Sequence, residues 1–418
     1  MADESGYPSR PYAWAVVAIL IASAVLSYTD RQVLSLLVDP IRGELKISDA
    51  QVSLLLGTAF AVVYGIAGIP LGFLADRTSR RNLIFLGVLV WSAGTLGCGL
   101  AHTFGQLFSA RIVVGLGEAV LSPAAISLIS DYFPPSRRGT AVGLFLSGIA
   151  MGIGAAILIG GGVLHAVELG VLAGTPLATL PAWRLVLLLI GAPGMIWSLV
   201  ILAIREPARR VTENVIETPD RESPSTWARV IPIYIVVATA SLVDNAVGAW
   251  APSLLIRHFA KDPAQVGIQL GFLLTAGFGG GVLVGGWLAD RGGWRYKLAV
   301  CLAAGLLILP VSIGFNAGEF NLVLGSVPVY FALSGMVTAC GFSAILDVVP
   351  NRSRGLAMAI SFFLNVAIGA SAGPSAVTAA SVQVGLGPAL TLTVASGYGL
   401  AAATLIASLF LFKEAQRP

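Results

Sequence analysis

The chain has 418 residues, 56% of them hydrophobic and only 11% charged, with a formal net charge of +4. A soluble globular domain is about half apolar and about a quarter charged, so this composition excludes an ordinary soluble enzyme or binding domain. The basic residues sit in loops and form no stripe interleaved with exposed aromatics, so the positive balance implies no nucleic-acid partner.

The mean hydropathy of +0.86 and runs of roughly 20 or more apolar residues identify a polytopic helical membrane protein. Twelve spans are predicted, over 12–40, 50–75, 82–101, 105–132, 139–166, 183–204, 229–256, 265–289, 298–316, 320–348, 355–381 and 387–412. The 49 glycines suit close helix–helix approach in lipid. Cys98, Cys301 and Cys340 are scattered within spans, and no disulfide framework is expected.

The first span carries Ser27-Tyr28-Thr29-Asp30-Arg31-Gln32, two opposite charges inside an apolar run. The second ends in Gly72-Phe-Leu-Ala-Asp76-Arg77-Thr-Ser-Arg80-Arg81. Gly72 is expected to admit a neighbouring helix. Asp76 is expected to cap a facing helix N-terminus, where an anion is favoured.

On the fourth span Arg111, Gly115, Glu118 and Ser122 fall at i, i+4, i+7 and i+11, on one helical face. Asp30 and Arg31 are about 100° apart around their helix and should not share a partner. Crossed pairs with Arg111 and Glu118 would satisfy all four. A charge at the bilayer centre costs at least ~2.5–3.5 kcal/mol, and such residues usually mark ion or proton pathways. A static staple between two spans is the competing reading. In the functional one, burial raises a carboxyl pKa and a nearby Arg lowers it. Asp30 and Glu118 would then take and release a proton as partners exchange, freeing Arg31 or Arg111 to hold an anionic headgroup.

The polar stretch 205–227 divides the chain into bundles 1–204 and 228–418. The second bundle repeats the first. Ser241, Asp244 and Val247 match Ser27, Asp30 and Val33 at an offset of 214. Gly286-Trp-Leu-Ala-Asp290-Arg291-Gly-Gly-Trp-Arg295 matches the loop after span 2 at the same offset, and Asp347 with Pro350 matches Asp131 with Pro134 at 216. Six spans lie between copies, so the halves are parallel repeats, with substrate expected near midplane. Asn245 replaces Arg31, concentrating coupling charge in the first half; Asp244, Asn245 and Trp250 are candidate substrate contacts.

With both termini inside, the inner segments hold eighteen Lys and Arg; the outer loops hold five, Arg42, Lys46, Arg184, Arg257 and Lys261. That excess sets both termini in the cytoplasm. Gly369-Ala-Ser371-Ala-Gly373 matches G-x-S-x-G, but no His follows His258, so it reads as packing and not as a nucleophile elbow. No Lys precedes Ser or Thr, so a Walker A loop is absent. The three histidines are far apart, and neither a metal site nor a cofactor is expected.

The two G-x-x-x-D-R loops, twelve spans and central linker resemble the major facilitator superfamily over essentially the whole chain. Tyr28-Thr-Asp30-Arg31, Ala110-Arg111-Ile-Val-Val-Gly-Leu-Gly117-Glu118-Ala119 and the tract from Val38-Asp39-Pro40-Ile41 to Asp49-Ala-Gln51 resemble its Spinster-like branch. The organic-anion/proton symporters share similar charges in spans 1 and 4. The resemblance implies an all-α fold of twelve transmembrane helices in two pseudo-symmetric six-helix bundles, and a secondary transporter working by alternating access. It implies gating by Gly72, Asp76, Arg77, Arg81, Gly286, Asp290, Arg291 and Arg295. Protons are the expected coupling ion and an anionic amphiphile, a lysophospholipid or sphingolipid-like molecule, the expected substrate; a sugar acid is the alternative. A monomer among membrane lipids, in a bacterial inner (plasma) membrane, is expected.

Overall fold

The computed structural model describes residues 7–171, 174–209, 224–349 and 354–414. Its α-helices are α1 (Arg10–Gln32), α2 (Val38–Leu45), α3 (Asp49–Ser53), α4 (Ala59–Arg77), α5 (Arg80–Leu100), α6 (Phe104–Glu118), α7 (Leu121–Tyr132) and α8 (Pro135–Glu168). They continue as α9 (Ala182–Ile201), α10 (Pro224–Phe259), α11 (Pro263–Ala289), α12 (Trp294–Ile313), α13 (Phe320–Val348), α14 (Arg354–Leu364), α15 (Ser371–Val384) and α16 (Leu386–Glu414).

Helix starts follow local chemistry. Ser48 and Gln51 form a capping box at α3, and the Ser79 and Thr103 hydroxyls accept from the backbone N–H of Asn82 and Gln106 to open α5 and α6. Two spans are interrupted by wider π-helical turns, Leu54–Thr58 between α3 and α4 and Asn365–Ala370 between α14 and α15. Such turns leave backbone groups open to other partners and recur at functional sites.

Among the described residues eleven helices are long and apolar enough to cross a membrane. The expected span 355–381 is helical but is not one of them. It runs from α14 through the π-turn into α15, and several of its side chains lie outside the described residues. Of the expected linker 205–227, only 205–209 and 224–227 lie within the described residues.

The chain forms two compact units. Described residues within Met1–Leu55, Ala59–Pro219 and Pro263–Gly271 make the first; those within Leu56–Thr58, Asp220–Asp262 and Phe272–Pro418 make the second. In the first, α1 packs on α8, α5 on α6 and α9, and α4 on α6. In the second, α10 packs on α13, α15 and α16, and α12 on α13 and α16.

Glycine sets the closest crossings. A Cβ on Gly117 would lie 2.5 Å from the Trp91 nitrogen, and one on Gly277 would lie 2.5 Å from the Pro328 carbonyl oxygen. Gly369 and Gly373 lie against Ser241 and Leu242 of α10, so the G-x-S-x-G match is a packing surface. Gly72 and Gly286 correct the expectation placed on them. A Cβ at either would meet no described atom within 4 Å, so in this conformation neither sits at a close helix crossing among the described residues.

Candidate functional site

The first unit gathers its buried charges where α1 and α6 end. Arg31 Nη2 donates to Glu118 Oε2 at 2.7 Å, with the Glu118 side chain fully buried and that of Arg31 only 10% exposed. The guanidinium carbon lies 4.4, 4.1 and 5.0 Å from the ring centres of Tyr28, Phe60 and Tyr64. Phe60 and Tyr64, one turn apart on α4, stack at 5.3 Å. Three rings therefore hold a cation in an apolar setting, where each desolvated cation–π contact is worth up to about 2 kcal/mol.

Crossed pairing is realised on one side only. Asp30 and Arg111 form no ion pair. Arg111 Nε donates instead to the Leu55 carbonyl at 3.3 Å, and Nη1 to the Asp30 carbonyl at 3.4 Å. Leu55 lies in the first π-turn, where the widened backbone leaves that oxygen to a side chain. The Asp30 carboxyl sits beside Thr95 and feels the charges of both Glu118 and Arg111. Each of the four charged residues keeps one buried polar atom without a protein partner: Asp30 Oδ1, Arg31 Nε, Arg111 Nη2 and Glu118 Oε1.

In the second unit Asp244 replaces salt bridges with hydroxyls. Its Oδ1 accepts from Tyr330 at 2.7 Å and Ser334 at 2.5 Å, and Tyr398 donates to Ser334 Oγ at 3.0 Å. Asn245 turns back along its own helix, donating to the Ser241 carbonyl at 2.9 Å. Trp250 is buried and its indole N–H donates to the Pro374 carbonyl at 3.0 Å, tying α10 to α15. In this conformation Trp250 serves as a packing tie between the two helices.

The motif loop of the first unit is organised by Arg80. Its guanidinium, 2% exposed, pairs with Asp131 of α7 and donates from Nε to Glu206 at 2.8 Å. Glu206 also accepts from the Arg81 N–H and the Ser79 hydroxyl. Burial opposes its charge, but these donors outweigh burial and lower its pKa. Arg209 donates to the Ala75 and Thr78 carbonyls at 2.8 Å, so the start of the polar stretch is tied to the loop. The second unit repeats the arrangement more simply, with Lys297 of α12 pairing to Asp347 of α13 at 2.6 Å.

Of the expected gate residues, Arg77 and Asp290 are exposed. Arg81 holds Asn82 at 3.0 Å. Arg291 stacks on Trp287 at 3.3 Å, and Arg295 lies 5.3 Å from Trp294. The Asp76 side chain lies outside the described residues. Asp290 does not cap the helix that follows it: α12 begins at Trp294 with Gly293 at its N-cap and no side-chain cap.

At the other end of α5 a second polar cluster forms. Arg184 donates to Glu44 at 2.8 and 3.1 Å and to the Gly99 carbonyl, Trp183 donates to Glu44 at 2.5 Å, and His102 faces Arg184 at 3.3 Å. Burial works against the Glu44 charge, but Arg184 and Trp183 outweigh it, so its pKa falls below the ordinary 4.5. A depressed carboxyl pKa contributes stability above the unfolded value and loses it as pH falls through the folded one. Glu44→Gln is therefore expected to lower the Tm at pH 7, with the difference from wild type vanishing once pH falls well below 4.5. Melting curves of both proteins across that range check this.

The chain matches the family model of the Major Facilitator Superfamily over residues 20–374, and it belongs to that superfamily. It is a membrane transporter and not an enzyme. It is 28% identical to an MFS-type efflux pump of Mycolicibacterium smegmatis over 94% of this chain and 91% of that one. It is 25% identical to the hexuronate transporter of Bacillus subtilis over 84% and 83%. A solved bacterial homologue of the human lysosomal transporter Spinster, inward-facing and unoccupied, superimposes with a TM-score of 0.79 at 25% identity, covering 96% of both chains.

Proposed function

We propose that the protein is a proton-coupled secondary transporter that moves an anionic amphiphile, of the lysophospholipid or sphingolipid-like class, by alternating access. The observation that carries this reading is the incomplete pairing of the buried charges. Asp30, Arg31, Arg111 and Glu118 are nearly inaccessible, yet each keeps a polar atom without a protein partner. An unsatisfied buried polar group costs about 1–3 kcal/mol, and more when charged. A pure staple would bond them all. The free carboxylate oxygens of Asp30 and Glu118 suit a proton, and the free nitrogens of Arg31 and Arg111 suit an anionic headgroup. Likeness to a Spinster homologue supports the amphiphile. The excess of Lys and Arg in the inner over the outer segments supports cytoplasmic termini in a bacterial inner (plasma) membrane; that the protein acts as a monomer is part of the same proposal.

The second reading, proton symport of a small sugar acid, is favoured by likeness to a hexuronate transporter. Uptake of labelled lysophospholipid and labelled glucuronate into proteoliposomes, with and without an imposed pH gradient, separates the two. Gradient-dependent lysophospholipid uptake that Asp30→Asn loses is the expected result. Glucuronate uptake alone moves the assignment to sugar acids. Equal, pH-independent uptake by both proteins removes proton coupling.

A further inference from the structure

From the second unit we infer that Asp244, with Tyr330, Ser334 and Tyr398, forms a second proton-binding site, independent of Asp30 and Glu118. This goes beyond the reading above, which places coupling in the first unit.

Asp244 occupies the repeat position of Asp30, but the cation that follows Asp30 is replaced by Asn245. Among the described residues no ion pair reaches the Asp244 carboxylate. The groups that face it are hydroxyls. Tyr330 and Ser334 of α13 converge on Oδ1, and Tyr398 of α16 donates to Ser334. Cys301 of α12 lies beside Tyr398. The described residues of α15 and the 365–370 turn contain no Asp, Glu, Lys or Arg. Tyr330 and Ser334 are fully buried and Tyr398 is 2% exposed, while Asp244 itself is only half-buried. The site is thus braced from behind by buried side chains, while the Asp244 residue keeps partial exposure.

A negative charge within a span needs neutralising, since isolated it is costly. Two small cations could do so. A sodium ion needs several oxygen lone pairs turned toward it. Here the hydroxyls of Tyr330 and Ser334 turn O–H bonds, not lone pairs, toward the carboxylate, so a sodium ion beside Asp244 would find few ligands besides the carboxylate itself. A proton on the carboxyl disturbs neither hydrogen bond, because both hydroxyls converge on one oxygen and leave the other to take it. The step is simple: the carboxylate takes H⁺ from water and becomes a neutral acid, and the reverse releases it. A carboxyl in each unit then gives the cycle two proton sites.

The test is pH-difference infrared spectroscopy on the full-length protein in nanodiscs, following the carbonyl stretch of neutral carboxylic acids. Wild type should show a titrating band that Asp244→Asn removes and that Asp30→Asn and Glu118→Gln leave in place. Tyr330→Phe should shift both its frequency and its midpoint, which keeps the test open if Asp244→Asn fails to fold. A carboxyl spectrum unchanged by Asp244→Asn and by Tyr330→Phe overturns the proposal. So does a band that sodium chloride, but not potassium chloride, abolishes at constant pH; that result makes the site a sodium site. Loss of transport coupling in Asp30→Asn with the Asp244 band intact keeps the two proposals separate.

Discussion

Glu118→Gln is expected to collapse pH-driven accumulation to simple equilibration. A gradient of about two pH units is worth about 2.7 kcal/mol per proton, a limit of about a hundredfold accumulation for one proton per substrate. Gln keeps an oxygen for Arg31 but cannot carry the proton, so the ratio should fall to about 1 while exchange at equal pH persists. Arg31 stays in place because Tyr28, Phe60 and Tyr64 hold its guanidinium independently of Glu118. Glu118→Ala, by contrast, leaves a buried cation without its anion and should cost stability as well, about 3–5 kcal/mol. The pair of variants separates chemistry from folding. Undiminished accumulation by Glu118→Gln would make the Arg31–Glu118 pair a staple.

Arg80→Met should be the most destabilising single change at the motif loops. Removing one partner of a buried ion pair costs about 3–5 kcal/mol, because the charge left behind has no compensation. Arg80 leaves two such charges, Asp131 and Glu206, whose side chains are 11% and 26% exposed. Water access to Glu206 places the effect toward the lower end of that range. Lys297→Met makes the internal comparison: it leaves a single charge, Asp347, whose side chain is 34% exposed, so water compensates more of the loss and the cost is smaller. Thermal unfolding in detergent should show a large fall in Tm for the first variant and a small one for the second. Equal shifts would mean that burial does not decide the strength of these pairs.

The contrast between these two regions explains what the sequence could reveal. Spans and the repeat were legible because hydropathy and the Asp131/Asp347 landmark are local patterns. Arg31 with Glu118 was legible because buried opposite charges have few ways to be satisfied. Helix rotation was not. In a span that is apolar all round, nothing local says which face meets a neighbour, so Gly72 and Gly286 looked like crossing points, yet a Cβ at either meets no described atom within 4 Å. Phe60 and Tyr64 escaped for the same reason, being ordinary apolar residues until Arg31 is placed between them; their i, i+4 spacing was the available signal. Among Arg77, Arg80 and Arg81, composition could not choose the buried one, since burial of Arg80 depends on Glu206, 126 residues away. The span 355–381 is helical as its apolar run implies, but no periodic pattern marks the π-turn at Asn365–Ala370 inside it.

Those π-turns bear on how the chain can change length. A wider turn accommodates one residue more than an α-helix needs. Deleting a residue from an ordinary stretch of span turns everything beyond it by about 100° and carries core residues toward lipid. Deletion within Leu54–Thr58 or Asn365–Ala370 instead restores regular helix and leaves the flanking faces in register. At the first turn the local loss is the carbonyl that Leu55 offers to Arg111. A deletion scan should therefore find these two turns to be the tolerant points within their spans, with the first tolerant for folding and intolerant for transport. Insertion and deletion, usually confined to loops, have in these turns a foothold inside the membrane.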